Sequence, residues 1–372
     1  MKLSKPYHIK DFKFLLVLSV LALSIIGVLA VGSAEPSSQI KQIIGIIIGI
    51  IVMLVISMID YEWLLNLYWL IYGFNLFLLL YVHFFGMELN GAKRWINLFG
   101  FTTLQPSDFT KIFMILFFAK FLMNHEARMK EPLTIVKAVL LIAPSLLLIY
   151  KQPNLSNTLC IAALFCILMY IGGLSYKFIA TALAIAIPAA IIVVSIAVMP
   201  NQPFLEKYQQ KRILAWLEPE KYADDTAYQQ QNSIMAIGSG QLKGKGLNNN
   251  TTTSVKNGNF LLEADTDFIF AIIGEELGFV GCCIVIILLL LIVIQCILIG
   301  LLAQNLAGQI ICGGVAALIA IQSFINIGVA TGVLPNTGLS LPFVSAGLTS
   351  IVCFYMGIGF VLNVGLQPKK YQ

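Results

Sequence analysis

Long apolar runs recur along this chain, about ten of them, and each is close to the length at which an α-helix crosses a lipid bilayer. A spanning helix needs roughly 20 mostly apolar residues. The runs cover approximately 12–32, 40–59, 63–83, 107–123, 134–150, 157–173, 178–199, 268–300, 309–332 and 344–366. In hydrocarbon, backbone N–H and C=O groups must be satisfied within the segment, so a series of such runs folds as helices. No soluble architecture absorbs this surface: 59% of the 372 residues are hydrophobic and only 11% are charged, against about 25% charged in an ordinary soluble domain. The expected fold is an all-α polytopic membrane protein of about ten transmembrane helices, forming one membrane domain over residues 1–372.

Charge gives the chain a direction across the membrane. Lys2, Lys5, Lys10 and Lys13 crowd one end, and Lys369 and Lys370 the other. The short loops 124–133 and 174–177 carry Arg128, Lys130 and Lys177, whereas 33–39 and 333–343 hold one glutamate and no lysine or arginine. The positive-inside bias then predicts both termini in the cytoplasm. The basic start followed by an apolar stretch imitates a signal peptide, but the run Phe12 to Val31 is long for one and more spans follow, which predicts an uncleaved first helix.

Two segments on the predicted outer side break the charge rule. The first, 84–106, contains Lys93 and Arg94. The second, 200–267, contains Lys207, Lys211, Arg212, Lys221, Lys243, Lys245 and Lys256, offset by Glu206, Glu218, Glu220, Asp224, Asp225, Glu263 and Asp265. Long translocated loops are largely exempt from the rule. At this length 200–267 is more than a connector. Pro200 and Pro203 open it, Lys207 to Leu217 has the pattern of a short interfacial helix, and Tyr228 to Ile237 that of another, stopped by Gly238-Ser239-Gly240. The Gly-, Asn- and Thr-rich stretch from Gly240 to Gly258 reads as mobile or substrate-facing.

Several function classes drop out. Lysines at the chain ends are membrane anchors, and no basic helix or finger spacing suits nucleic acid, so none is expected as a partner. Cys160, Cys166, Cys282, Cys283, Cys296, Cys312 and Cys353 all lie in apolar runs as small hydrophobes, and His8, His83 and His125 are scattered; neither set has metal-ligand spacing. No serine triad, phosphate-binding loop or dinucleotide fingerprint is present.

Polar groups near a membrane are costly, so their positions carry information. Glu263-Ala-Asp265-Thr-Asp267 stands where the long outer loop meets an apolar helix. Partial burial raises a carboxylate's pKa towards values suited to proton transfer; the alternative is that Thr266 or Asp267 caps the helix. Glu275 and Glu276 follow, between Gly274 and Gly278. Adjacent helical side chains point about 100° apart, so one partner cannot serve both, and an architectural role stands beside a chemical one. A second cluster holds Lys93, Arg94 and Trp95, then Gln105-Pro-Ser107-Asp108 and Lys111. Trp95 fits a water–lipid boundary; the cations fit a diphosphate, arginine with bidentate geometry; Asp108 and Lys111, three apart, can pair with each other. A third, from Asn326 through Gly332, Pro335, Thr337, Gly338, Ser340, Pro342, Ser345 and Gly347 to Ser350, is a shaped turn permitting close helix contact.

These segments together resemble the SEDS (shape, elongation, division and sporulation) family, the RodA/FtsW/SpoVE-like peptidoglycan glycosyltransferases. The resemblance is carried by Gly91-Ala-Lys-Arg-Trp95, Gln105-Pro-Ser-Asp108 through Lys111, Ala236-Ile-Gly-Ser-Gly240 with Gly244-Lys-Gly246, Thr266-Asp-Phe-Ile-Phe-Ala271 with Gly274-Glu-Glu276, and Thr337-Gly338 with Leu341-Pro-Phe343. They follow the family's order and spacing over the whole chain. Three positions depart from its pattern: Asn154 stands where an aspartate is usual, Asp108 replaces a glutamate, and Ser345-Ala-Gly-Leu-Thr-Ser350 replaces Ser-Tyr-Gly-Gly-Ser-Ser.

The resemblance implies a multi-pass protein of the bacterial cytoplasmic membrane that polymerises lipid II into glycan strands on the outer face and releases undecaprenyl diphosphate. It implies lipid II and the lipid-linked nascent glycan as substrates, with a class B penicillin-binding protein and other elongation or division proteins as partners. It puts the essential acid at Asp267 and the family's outer-loop tryptophan at Trp95. For the leaving diphosphate the candidates are Arg94, Lys93, Lys111 and Arg212, in that order, with Glu275 and Glu276 also near substrate; the sequence identifies no cofactor, and a divalent cation (Mg or Mn) is a candidate to share the charge although no recognisable cage for it is present. Two other classes fit ten helices and a charged vestibule: a flippase for the same lipid, and a non-catalytic scaffold for the transpeptidase. A flippase needs polar residues continued through to the cytoplasmic side, and here they concentrate in the outer half.

Overall fold

A computed structural model describes residues 12–89, 92–98, 102–199, 207–222, 227–248, 261 and 263–367. Lys2, Lys5, Lys10, Lys369 and Lys370, Asn90 and Gly91, Pro200, Pro203, Glu206, Asp224, Asp225 and residues 249–260 with Lys256 lie outside them. The chain runs α1 (Phe14–Ala34), α2 (Pro36–Met58), α3 (Tyr61–Leu65), α4 (Tyr68–Phe85), β1 (Met87–Leu89), β2 (Ala92–Leu98), β3 (Thr102–Leu104), α5 (Pro106–Asn124), α6 (Pro132–Lys151), α7 (Leu155–Ile171), α8 (Tyr176–Ala197), α9 (Lys207–Leu217), α10 (Tyr228–Ser239), α11 (Ile269–Leu301), α12 (Leu306–Ala330) and α13 (Leu348–Gly365).

A long helix lies at each of the ten apolar runs. Among the described residues, seven of them, α1, α2, α4, α6, α11, α12 and α13, are long and apolar enough to cross a membrane. The protein is therefore a multi-pass membrane fold. Proline sits in the first turn of α2, α5 and α6, where its missing N–H is not needed. Asp60, Asn154 and Asn305 cap α3, α7 and α12 by accepting from Glu62, Asn157 and Gly308 N–H groups at 2.9, 3.3 and 2.9 Å. The two short helices expected in the long loop are α9 and α10.

Burial divides the helices into a centre and a rim. Most of α13 is buried, while little of α4 is, although it is apolar. Apolar residues such as Leu70, Phe74 and Phe77 on α4 and Ile287, Leu290 and Ile294 on α11 face outwards, as a lipid-facing surface requires. The most extensive seam is between α2 and α13. A Cβ on Gly359 would lie 2.8 Å from the Met53 carbonyl oxygen, and one on Gly49 2.8 Å from the Tyr355 ring. Small residues let helices touch where no hydrophobic effect drives them together.

One end of the bundle is closed by a polar network. Asn363 donates to the carbonyls of Ser57 (2.8 Å) and Ile59 (2.7 Å) and accepts from Tyr61 N–H (3.0 Å). Tyr61 hydroxyl reaches Asn305 Oδ1 at 3.1 Å, and Asn305 donates to Glu62 at 2.9 Å. The opposite end gathers β1, β2 and β3, the start of α11 and the α12–α13 connection.

A small sheet departs from the all-helical reading. β1, β2 and β3 are antiparallel neighbours in that order, with Glu88 opposite Lys93 and Asn97 opposite Thr103. Its strands are short and carry charge, so no apolar alternation announced them. The register shifts between Met87, opposite Trp95, and Glu88, opposite Lys93, which makes Arg94 the bulged residue of β2. Bulges re-aim side chains beside functional sites.

Gly359→Val should lower the detergent melting temperature by several degrees, because overpacking of this kind costs about 1–3 kcal/mol; an unchanged melting curve would show that the α2–α13 seam yields freely.

Candidate active site

Residues 263–268 form a compact turn immediately before α11. Thr266 and Phe268 N–H groups donate to Glu263 carbonyl at 3.3 and 3.2 Å, and Thr266 hydroxyl donates to Glu263 Oε2 at 3.0 Å. Phe268 occupies the cap position of α11, and no side chain caps that helix end. The helix-cap reading of Thr266 or Asp267 is thus corrected: α11 begins one residue later, so neither side chain meets its free N–H groups. Among the described residues, Asp267's carboxylate takes part in no hydrogen bond or ion pair.

The turn is fastened to the α12–α13 connection. Asn326, buried on α12, donates one amide group to two carbonyls, Asp267 O at 2.9 Å and Leu339 O at 2.7 Å. Ser345 hydroxyl donates to Thr266 O at 2.6 Å and accepts from Leu341 N–H at 2.7 Å, and Ala346 N–H donates to Asp265 O at 2.8 Å. Backbone on both sides of Asp267 is thereby fixed. Gly338 lies against the carboxylate with φ +71°, and a Cβ there would stand 3.2 Å from Asp267 Oδ2. A left-handed backbone suits glycine, and here the missing side chain also leaves room beside the acid.

Electrostatics set the carboxyl apart from ordinary ones. Its pKa is raised from 3.8 to about 7, chiefly by burial and then by Glu263, while Arg212 and Arg94 draw it back and Asp265 adds to the rise. Asp267 is only part-buried by area, yet enough protein surrounds the carboxyl to strip much of its hydration. The two arginines arrive from different elements. Arg94 projects from the β2 bulge and donates through Nε to Gln152 O at 3.0 Å and through a terminal nitrogen to Pro153 O. Arg212 stands on α9, which Trp216 anchors by donating to Gly332 O at 3.1 Å.

The other expected site residues are dispersed. Lys93 is exposed and Trp95 part-buried on β2. Lys111 is buried on α5, 2.9 Å from Asp108, and donates to Gln322 on α12 at 3.2 Å. Glu275 pairs with Lys245 at 2.7 Å and Glu276 accepts from Ser33, so the adjacent glutamates do take different partners. Asn326 and Ser345, singled out as parts of a shaped turn, are the residues that hold the acid in place; neither is ionisable, so their role had no charge signal. Asn154, at the position where an acid was expected, caps α7 with its neutral oxygen, and the nearby Ser156 holds Thr337 O at 2.5 Å. No three His, Cys, Asp or Glu side chains among the described residues converge to hold a metal ion.

Comparison with known proteins agrees with this geometry. The model of the FtsW/RodA/SpoVE "cell cycle protein" family matches residues 8–370. The chain belongs to this family. It is 32% identical to the probable peptidoglycan glycosyltransferase FtsW of Trichlorobacter lovleyi, over 99% of this chain and 96% of the relative. It is 31% identical to the peptidoglycan glycosyltransferase MrdB of Escherichia coli K12, over 97% and 95%. Among solved structures, one of a peptidoglycan synthase complex, concerned with the coordination of polymerization and crosslinking, superposes with TM-score 0.78 at 28% identity, covering 95% of this chain and 97% of the other. The rod shape determining protein RodA of Thermus thermophilus superposes with TM-score 0.71 at 25% identity, covering 97% and 98%.

The raised pKa of Asp267 has a consequence for stability. The protonated form is favoured in the fold, so this group's stabilising contribution is present at acid pH and is lost as pH rises from 3.8 through about 7. Asp267→Asn should therefore melt at or above the parent temperature at about pH 8.5, and the difference should narrow at about pH 5. Lower stability of the variant at alkaline pH would contradict the assignment.

Proposed function

We propose that this family member is a peptidoglycan glycosyltransferase that polymerises lipid II at the outer face of the cytoplasmic membrane, with Asp267 as its catalytic base. The observation that carries the reading is a carboxyl with pKa raised to about 7, fixed by its backbone on both sides and lying within the field of two arginines. Family membership over the whole chain supports the reaction. The growing glycan, held by its lipid diphosphate, is the donor. The C4 hydroxyl of lipid II attacks the anomeric carbon; the new glycosidic C–O bond forms as the bond to the diphosphate breaks. Asp267 takes the hydroxyl proton, and the electron pair leaves on undecaprenyl diphosphate. Charge builds on that leaving group, where fixed cations are most useful.

Arg94 and Arg212 are the cations whose attraction reaches Asp267, which supports them as the diphosphate clamp. Lys93 and Trp95, on the same strand as Arg94, flank the substrate from the membrane boundary. Lys111, Glu275 and Glu276 serve from a greater distance through their own pairings. The membrane topology that suits this chemistry has ten spans, α1, α2, α4 to α8 and α11 to α13, both termini cytoplasmic and residues 200–267 as one large outer loop inside a single domain of 1–372. A class B penicillin-binding protein is the partner, as the likeness to a peptidoglycan synthase complex supports.

Purified protein given labelled lipid II should yield a ladder of glycan strands on a gel. Asp267→Ala should reduce the rate at least ~100-fold, the usual scale for a lost general base, with membrane insertion intact. Wild-type activity should rise with pH to a midpoint near 7, as the base becomes ionised. Headgroup movement across a vesicle without polymer would instead mean a transporter, and binding of the transpeptidase with neither activity would mean a scaffold.

A further inference from the structure

α11 is two helices end to end. Gly278 has φ +66° and ψ −165° inside it, a backbone region essentially restricted to glycine. The break separates a short outer stub, Ile269–Leu277, from the membrane-crossing part, and Asp267 lies just ahead of that stub. In an unbroken helix Phe279 N–H would donate to Glu275 O, and Val280 N–H to Glu276 O. Here all four groups are taken by one segment of the long loop. Lys245 and Gly246 N–H groups donate to Glu275 O and Glu276 O at 2.9 Å each, and Phe279 and Val280 N–H groups donate to Gln241 O and Leu242 O at 2.8 and 3.2 Å.

Side chains lock the same joint. Lys245 Nζ lies 2.7 Å from Glu275 Oε1, with Glu275 buried and the lysine largely so. Ser33 at the end of α1 donates to Glu276. Gly240 and Gly244 are in contact with the backbone of the stub: a Cβ on either would meet the Gly274 or Glu276 carbonyl oxygen. From Gly240 the chain leads back into α10, whose Gln230 and Ser233 donate to Val329 O and Ala330 O at 2.8 and 2.7 Å. These carbonyls lie at the end of α12, next to the connection that holds Asp267. The inserted segment therefore spans from the joint of α11 to the frame of the site.

We infer that the 240–246 segment is a clamp that sets the angle of the α11 stub, and that Lys245 is a positioning residue for Asp267. The inference rests on the polymerase reading above and adds a residue to it. Lys245 does not approach the reacting atoms; it acts by fixing the stub so that the carboxyl stays beside Gly338 and within the field of Arg94 and Arg212. A displacement of about 1 Å at a catalytic group is enough to cost ~100-fold in rate, so a loosened joint should be visible in turnover.

The test compares Lys245→Met and Lys245→Arg in purified full-length protein, using lipid II polymerisation over a range of pH. Lys245→Met should lower kcat about tenfold with KM changed less than about twofold, since a positioning defect acts on the transition state. The midpoint of its pH profile should fall below that of wild type as water reaches the carboxyl, and Lys245→Arg, which keeps the ion pair, should recover most of the rate. Unchanged kcat in Lys245→Met overturns the inference; so does a loss that tracks the melting temperature alone, with the pH midpoint fixed and no recovery by arginine. Amide hydrogen exchange in 269–277 is read in parallel. Faster exchange in Lys245→Met supports the clamp and unchanged exchange refutes it, even if the wild-type protein forms no polymer, an outcome that would sink the polymerase reading by itself.

Discussion

The site is built around the side-chain amide of Asn326, which Ser345 seconds. By donating to the carbonyls of Asp267 and Leu339 at once, this amide joins two stretches of chain that are distant in sequence, one leading into α11 and the other into α13. Both carbonyls need partners because the surroundings are largely closed to water, and an unmet carbonyl there costs roughly 1–3 kcal/mol. The backbone of the acid is therefore held by neutral hydrogen bonds. Its carboxyl, by contrast, is not used in holding the turn together, which leaves it available for proton transfer. Structure and chemistry are divided between main chain and side chain of one residue.

The same division recurs around the site. Arg94 is oriented by two main-chain carbonyls of the α6–α7 turn, a geometry that the β2 bulge makes reachable. Asn154, where the family's pattern has an acid, satisfies a helix end with a neutral oxygen. This substitution keeps the turn that Arg94 binds while removing a negative charge from its neighbourhood.

Much of this was legible in the sequence because bilayer physics writes in long words. Ten apolar runs marked the long helices, and the Gly238–Gly240 stop marked the end of α10. Asp267 stood out as a charge at the mouth of an apolar run. The parts that escaped notice are those with short or neutral signals. β1 and β3 have three residues each, too few for alternation to be seen. Gly278 looked like any glycine between two apolar stretches, and its broken ladder is repaired by residues 241–246, which adjoin it only in three dimensions. Lys245 read as one of many loop cations; its pairing with Glu275 is a tertiary fact. The cap assigned to Thr266 or Asp267 failed by one residue, the usual precision of helix ends.

The ion pair in α5 has a bearing on how the protein is made. A lone lysine is a heavy charge to leave in hydrocarbon, and Gln322, its second partner, lies 211 residues further along the chain. Asp108 is only three positions away, on the same helix face. The charge can thus be neutralised within α5 itself, before α12 has left the ribosome. Local pairing removes the net charge of the Asp108–Lys111 pair, with its docking onto α12 deferred to assembly of the finished bundle.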